Sequence, residues 1–418
     1  MKSIYKSIGD YIQEVNIRNT DLKIDNLLGI NIDKFFMPSV ANVIGTDMTK
    51  YKIVKQGQFA CNRMHVGRDK RLPVALLRQE DAVIVSPAYD VFEIIDKELL
   101  DPEYLMMWFS RKEFDRNTWF YTDADVRGGL KWNDFCNMKL PVPHITKQKE
   151  IVREYNVLID RIKLNNNIIQ KLEITAQAIF KRWFVDFEFP DENGKPYKSS
   201  GGEMVFNNNL DMEIPKGWGL GILDDVVNLI ISHRGKSKST MELNNKDKVF
   251  NHPVISAMNV SGGSIVKHDL IRYADNITFK EWMKDPLEVG DVIMTSEAPL
   301  GELLYIAKRK DYILSQRLFA IRVDKTLSRG VFLYYWLKNP IVLKDLEGRA
   351  TGTTVLGIKL SELKKLIILK PLLNTIIIFE NKVQALMKHM EEKKNENEIL
   401  NELRHFMLST LAQTSEVN

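Results

Sequence analysis

The sequence predicts an α+β protein with a pseudo-two-fold internal repeat: two similar mixed α/β domains joined by two long helices packed as an antiparallel coiled coil. Two observations lead to this prediction. The middle of the chain holds an unusually long helical segment, and the same pattern returns at the end of the chain. The length of 418 residues agrees with two domains, because a single core rarely grows beyond about 250–300 residues.

The long segment runs from Gln148 to Trp183 without proline or glycine. At ~1.5 Å per residue it would form a rod of roughly 54 Å, whereas the mean helix has about 11 to 12 residues. Its apolar residues recur at alternating steps of four and three, the repeat that lets two helices wrap around each other. The positions are Ile151, Tyr155, Leu158, Ile162, Ile169, Leu172, Ala176, Ile179 and Trp183, with Asn165 as the polar exception.

Asn165 has two interpretations. A polar residue in a helical seam can fix the register of the pair at a cost in stability, or its side chain can face a gap or water. Register matters for a helix pair whose length sets a spacing. We therefore expect Asn165 to fix the register.

The second copy appears when the chain is compared with itself. A single constant offset places Trp108 on Trp336 and Pro143 on Pro371, and aligns LKWNDFCNMKLPVP with IKLSELKKLIILKP. Upstream, DAVIVSPAYDVFEI and GDVIMTSEAPLGELLYI resemble each other at another offset. The second helix is more polar, since EEKKNENE follows Met390. We predict a helix through this stretch, with fraying, a stutter or a turn there as the alternatives.

Each copy combines β-rich runs, a helix, a Gly/Thr loop and a short strand or turn leading into the long helix. Between the copies, FPDENGKPYKSSGGEMV (189–205) predicts a linker or exposed loop. Equivalent halves would place two globular heads at opposite ends of the helix pair. A regular duplex suits such heads, because half-site spacing on DNA follows protein geometry.

The net charge of +4 is too small to indicate nucleic-acid binding by itself, but two stretches are locally basic. Their side chains offer donors for phosphates and base edges. Arg127 and Arg349 flank the Gly/Thr loops and could contact the DNA backbone. A solvated basic surface or an ordinary turn is the alternative for each. The remaining candidates are Arg63, His65, Arg68, Lys70 and Arg71 in the first half, and His233, Arg234, Lys236 and Lys238 in the second.

Sequence motifs of catalysis are missing. RGKS at Arg234 resembles the end of a phosphate-binding loop, but Ile230 stands where that loop needs glycine. The seven histidines form no HExxH motif or close cluster, and no NPPY-like tetrapeptide of an amino-methyltransferase occurs. We expect no catalytic, metal or cofactor site. No segment predicts a membrane span or a signal peptide, so a cytoplasmic protein without membrane contact is expected.

Four stretches resemble the specificity subunit of type I restriction-modification systems: PVPHITKQKEIV, AIFKRWFVDFEFP, ENGKPYKSSGGEM and EIPKGWGLGILDDVV. The resemblance covers nearly the whole chain, although the first copy lacks the IPxGW entry. It implies target recognition domains at 1–142 and 206–370. Spacer helices are implied at 143–188 and 371–418, with the linker at 189–205.

The resemblance also implies a function. Each recognition domain would read one half of a bipartite, asymmetric site in double-stranded DNA. The helices would fix the spacer and dock two methyltransferase (modification) subunits, with restriction (motor-nuclease) subunits completing the complex. S-adenosylmethionine, ATP and Mg are expected on those partners and not on this chain. The alternative is a coiled-coil adaptor that joins two protein partners without recognising DNA.

Overall fold

The structure is a computed structural model that describes residues 5–39, 45–122, 128–208, 211–233 and 251–412. The chain divides into two compact units. Unit 1 comprises residues 1–164 and 397–418, and unit 2 comprises residues 165–396. Both units therefore contain part of each long helix.

Unit 1 begins with short strands and continues with helices. Its elements are β1 (Tyr5–Ser7), β2 (Ile12–Val15), β3 (Leu28–Ile30), β4 (Phe36–Pro38), β5 (Lys52–Val54), β6 (Phe59–Cys61), α1 (Val66–Asp69), β7 (Val74–Leu76), β8 (Val83–Val85), β9 (Asp90–Ile94), α2 (Pro102–Phe109), α3 (Lys112–Phe120), α4 (Trp132–Asn137), β10 (Lys139–Pro141) and the first half of α5 (Ile145–Phe184).

Unit 2 repeats this order with insertions. Its elements after α5 are β11 (Met204–Asn207), β12 (Met212–Pro215), β13 (Gly219–Ile222), β14 (Val227–Ser232), β15 (His252–Ile255), β16 (Val260–Ser261), β17 (Ser264–Ile265), β18 (Arg272–Ala274), α6 (Asn276–Trp282), β19 (Val292–Thr295), β20 (Leu303–Tyr305), β21 (Ile313–Leu314), β22 (Leu318–Val323), α7 (Gly330–Leu337), α8 (Pro340–Arg349), α9 (Leu360–Leu363), β23 (Ile367–Lys370) and the first part of α10 (Leu373–Thr410).

The internal repeat is present element by element. Both units contain a four-stranded antiparallel sheet of the same order, β2-β9-β6-β7 in unit 1 and β14-β22-β19-β20 in unit 2. The first residues of α7, α8, α9 and α10 follow those of α2, α3, α4 and α5 at the same offset that places Trp108 on Trp336. The repeat predicted from the sequence is therefore confirmed.

Both copies enter their sheet in the same way, although only the second carries IPxGW. β1 pairs with β10 and β13 with β23, so in each unit the entering strand meets the strand that precedes the long helix. A 3₁₀ turn follows, at Ile8–Asp10 in unit 1 and at Leu223–Asp225 in unit 2. Ile8 and Leu223 are the buried apolar residues of these turns, so the first copy forms the same entry without the IPxGW residues.

The sequence alignment upstream of the helices was wrong. It matched VIVS, which forms β8, with VIMTS, which forms β19, yet β8 pairs with β5 outside the four-stranded sheet. The strand equivalent to β19 is β6. Gly57 and Gly290 precede these strands with φ of +82° and +99°, and their N–H groups donate to the carbonyls of Leu77 and Ile306.

The coiled-coil prediction is confirmed. All ten predicted seam positions of α5 are buried or half-buried, and Asn165 is fully buried. In unit 2 the end of α5 packs on the beginning of α10, with Phe180 and Phe379 rings 5.9 Å apart. In unit 1 the first turns of α5 share a core with the last turns of α10, through Ile151 and Leu408. The helices therefore run antiparallel.

The prediction of a second long helix is confirmed, because α10 is continuous through EEKKNENE. Its polar side chains find partners inside unit 2. Glu391 pairs with Lys310 at 3.4 Å, and the Lys394 ammonium donates to the Gly263 carbonyl at 2.6 Å. Burial lowers the pKa of Lys394. The polar stretch thus faces protein on one side, which sequence periodicity does not reveal.

The segment between the copies is attached to unit 2 by the aromatic side chain at its start. Phe189 is buried and stacks on Trp218 and Tyr197, with ring centroids 4.9 and 4.6 Å apart. Its remaining residues form turns and the start of β11. Within the described ranges, no helix is long and apolar enough to cross a membrane.

Candidate nucleic-acid interface

The connection between β6 and β7 carries five of the predicted DNA-contacting residues in a single surface segment, residues 62–73. Its short helix α1 places Arg68 and Lys70 in solvent, while His65 and Arg71 are half-exposed. Lys70 ends the helix in the left-handed conformation, with φ of 55°. The structure therefore brings these residues together, as the sequence spacing predicts.

Arg63 belongs to the interior of this segment. Its Nε donates to Asp90 Oδ2 at 2.6 Å, its Nη1 donates to the Leu130 carbonyl, and the guanidinium lies 5.5 Å from the Trp132 ring centroid. Burial lowers the pKa of Arg63, but the hydrogen bond and charge of Asp90 outweigh it and raise the pKa overall. A DNA contact would require breaking these bonds, so we assign Arg63 a structural role in the free protein.

Arg68 and Arg71 pair with carboxylates near the surface. Arg68 bonds both oxygens of Asp69, at 2.7 and 2.9 Å, and this hydrogen bonding lowers the pKa of Asp69. Arg71 Nη1 lies 2.8 Å from Asp33 Oδ1. Exposed ion pairs contribute only about 0–1 kcal/mol. These arginines can therefore exchange their carboxylates for phosphates at little cost.

An aromatic cluster that the sequence analysis missed lies beside this segment, at the end of α3. Trp119, Phe120 and Tyr121 are 44%, 81% and 51% exposed, and Lys70 Nζ stands 4.9 Å from the Trp119 ring centroid. The available signal was three successive aromatic residues at the end of a charged helix. Arg127, which follows the cluster, lies outside the described residues.

The Gly/Thr loop packs directly on the basic segment. Gly67 N–H donates to the Gly128 carbonyl at 2.8 Å, and a Cβ added to Gly67 would lie 2.7 Å from the Gly128 Cα. No side chain fits in this gap. The two glycines therefore hold the β6–β7 connection and the loop in direct contact.

Unit 2 has the same junction with different chemistry. Its β19–β20 connection, α8 and Gly/Thr loop surround a cavity of about 500 Å³ whose walls are largely apolar. The lining includes Pro299, Leu343, Leu346, Val355 and Leu356. The equivalent surfaces of the two units therefore differ, one basic and aromatic and the other apolar.

Two of the candidates predicted in unit 2, His233 and Arg349, lie in the described residues and have different surroundings. His233 is buried at the end of β14, with Nε2 3.4 Å from Met283 Sδ and its ring against Trp282. Arg349 ends α8 and pairs with Asp345 at 2.8 Å and Glu362 at 3.5 Å. Burial makes His233 part of the core of this unit. Arg234, Lys236 and Lys238 lie outside the described residues.

Comparison with known proteins relates this architecture to a family. Residues 215–405 match the family model described as the type I restriction modification DNA specificity domain. The specificity subunit of the type I restriction enzyme MjaIX from Methanocaldococcus jannaschii is 26% identical over 330 residues, covering 76% of this chain and 70% of the relative. The HindI specificity subunit from Haemophilus influenzae is 24% identical over 467 residues, covering 97% of each.

The resemblance to type I specificity subunits is confirmed. The crystal structure of the S subunit of a type I restriction-modification system from M. genitalium covers 98% of this chain and 95% of that chain, with a TM-score of 0.54 at 13% identity. That likeness confirms the fold.

Proposed function

We propose that this chain is the DNA-recognition subunit of a type I restriction-modification complex, in which each globular unit reads one half of a bipartite, asymmetric DNA site. The observation that carries the proposal is the element-by-element repeat, in which two sheets of identical strand order precede two equivalent long helices. Two equivalent scaffolds suit two half-sites on a regular duplex.

The asymmetry of the proposed site rests on the two junctions. In unit 1 the β6–β7 connection presents Arg68, Lys70 and Arg71, whereas the equivalent connection in unit 2 carries Ala298, Pro299 and Leu300. Cationic and apolar side chains prefer different groove edges, since arginine pairs with guanine and apolar groups contact the thymine methyl. The two units would therefore read different sequences.

We further propose that the long helices fix the spacer and dock methyltransferase subunits. Two sets of exposed apolar residues in unit 1 support docking. Ile399, Leu403 and Phe406 lie at i, i+4 and i+7 on α10, and Val157 and Leu164 lie at i and i+7 on α5. Each set shares one helix face. Exposed apolar stripes on helices match the mode in which a partner helix lies against an apolar face.

Catalysis would belong to the partner subunits in this proposal. The methyltransferase subunits would bind S-adenosylmethionine, and the restriction subunits would bind ATP and Mg. This chain would contribute the sequence choice and the geometry, making no covalent bond itself. Its place in the cell would be the cytoplasm, where those partners meet DNA.

Co-expression with a type I methyltransferase subunit from the same organism tests the proposal. The expected result is a stable complex whose DNA affinity falls steeply with added salt, because bound phosphates release counterions when they are neutralised. A complex that binds partners but shows no salt-dependent affinity for DNA would favour the adaptor function. Failure of the two chains to associate would contradict the docking proposal.

A further inference from the structure

Phe120 is the most exposed large apolar residue in the described part of the chain, at 81%. Its neighbours Trp119 and Tyr121 are also about half-exposed, and the Phe120 and Tyr121 rings meet edge to face at 5.6 Å. Contiguous exposed apolar surface on a protein marks an interaction site. A ring held this far into solvent at the end of a helix indicates a contact with something outside the chain.

The charges around the ring indicate an anionic partner. Lys70 lies over the Trp119 ring, and α1, which carries Arg68, contacts α3. Arg116 lies one helical turn before Phe120 and is exposed. Among these residues the cations Arg68, Lys70 and Arg116 outnumber the carboxylates of Asp69 and Glu113.

The scaffold under the ring is rigid. Asp115, on the buried side of α3, accepts the Leu72 N–H at 3.1 Å and pairs with buried Lys34 at 2.7 Å. The Lys34 ammonium also donates to the Phe109 carbonyl at the end of α2. These bonds tie α3 to the basic connection and to α2, so Phe120 is presented from a fixed position beside the cations.

We propose that Phe120 is an apolar wedge that inserts its ring at a base step of the half-site read by unit 1. The inference rests on the proposed DNA-recognition function and names a residue and a mode of contact within it. Phenylalanine is a side chain that proteins insert between base pairs, where it partly unstacks and kinks the duplex. The neighbouring cations Arg68, Lys70 and Arg116 would hold the phosphates on either side and offset the cost of unstacking.

Fluorescence of 2-aminopurine tests the wedge. The DNA site is first identified as the sequence that the wild-type complex methylates. The complex is then mixed with a series of duplexes that carry this site, each with 2-aminopurine at a different position. The wild-type complex is expected to brighten the probe at one step of one half-site. Phe120→Ala should abolish that signal and weaken DNA binding about tenfold or more, while Phe120→Leu should keep part of both.

Ile95→Ala is the matched control, because Ile95 is an exposed apolar residue of unit 1 outside this cluster. It should leave fluorescence and affinity unchanged. Unchanged behaviour of Phe120→Ala, or an equal loss in the control, would overturn the wedge. Loss of methyltransferase association in Phe120→Ala alone would also overturn it and would make the cluster a protein-docking surface. If the wild-type complex itself has no affinity for DNA, the proposed DNA-recognition function is contradicted instead.

Discussion

Lys338, the residue after α7, places its Nζ atom 2.6 Å from the Oε1 atom of Glu173 on α5. The Tyr335 hydroxyl donates to the other carboxylate oxygen at 3.1 Å, and Lys338 also donates to the Tyr334 hydroxyl at 2.7 Å. Burial raises the pKa of Tyr305, which packs on Tyr334, to about 12. A polar cluster therefore fastens the helices and sheet of unit 2 to its part of α5.

In unit 1 the corresponding contact with α5 is made by apolar side chains. At the offset that places Trp108 on Trp336, the counterparts of Tyr334 and Tyr335 are Met106 and Met107. Both methionines are buried in the core that includes Ile151 of α5. Methionine adapts to irregular gaps without directional bonds. The Glu173 cluster is therefore specific to unit 2 and has no equivalent in the described part of unit 1.

Replacing Glu173 by alanine should lower the free energy of unfolding by about 1–3 kcal/mol, because Lys338 and Tyr335 lose a charged acceptor in a partly buried site. The two ionic side chains are 23% and 27% exposed, so the loss exceeds that of a surface pair. Urea unfolding provides the measurement. Glu154→Ala, an exposed change on the same helix, should stay within about 0.5 kcal/mol. Absence of coupling in a double-mutant cycle with Lys338→Met would contradict a direct bond.

Asn165→Ile tests the register prediction. Asn165 is fully buried on the seam of α5, and isoleucine would supply apolar packing without directional hydrogen bonds. We expect folding to be kept and spacer discrimination to relax. The measurement is methylation of duplexes whose spacer is one base pair longer or shorter. If the variant rejects altered spacers as strongly as the wild type does, Asn165 has no register role.

Glu380 predicts a pH dependence in unit 2. Burial raises the pKa of this carboxyl above its usual value, and the Arg329 guanidinium, 3.1 Å away, only partly opposes the effect. A raised pKa means that the folded state binds a proton more readily, so the contribution of Glu380 to stability is fully present below about pH 4.5 and is lost as pH rises through the folded pKa. Between pH 7 and pH 4.5, the free energy of unfolding of the wild type should therefore rise relative to that of Glu380→Gln, as measured from unfolding curves. Parallel curves for the two proteins would contradict the shift.

The exposed stripe of α10 predicts where methyltransferase subunits dock. Introducing charge through Leu403→Glu and Phe406→Glu should prevent copurification with the methyltransferase, because a carboxylate cannot be buried unpaired in an apolar interface. The chain itself should remain folded, since both side chains are exposed. Leu22→Glu, at an exposed apolar position away from the helices, is the control. Retention of the complex by the double variant would exclude this face.

The repeat and both long helices could be predicted from sequence, because proline and tryptophan positions and a heptad pattern recur at one fixed offset. The equivalence of β6 and β19 could not, since these strands have only three and four residues and the connections that follow them differ in length. The burial of His233 could not be predicted either, because it results from tertiary packing against Trp282. Exposure of Phe120 likewise depended on where α3 ends.

Mapping methylated adenines tests the central claim most directly. Genomic DNA is compared between cells carrying the wild-type complex and cells in which residues 1–140 are exchanged for those of a relative. The wild type should methylate a two-part asymmetric site, and the exchange should change one part while the other part and the spacer stay the same. A change in both parts, or in neither, would contradict the assignment of one half-site to each unit.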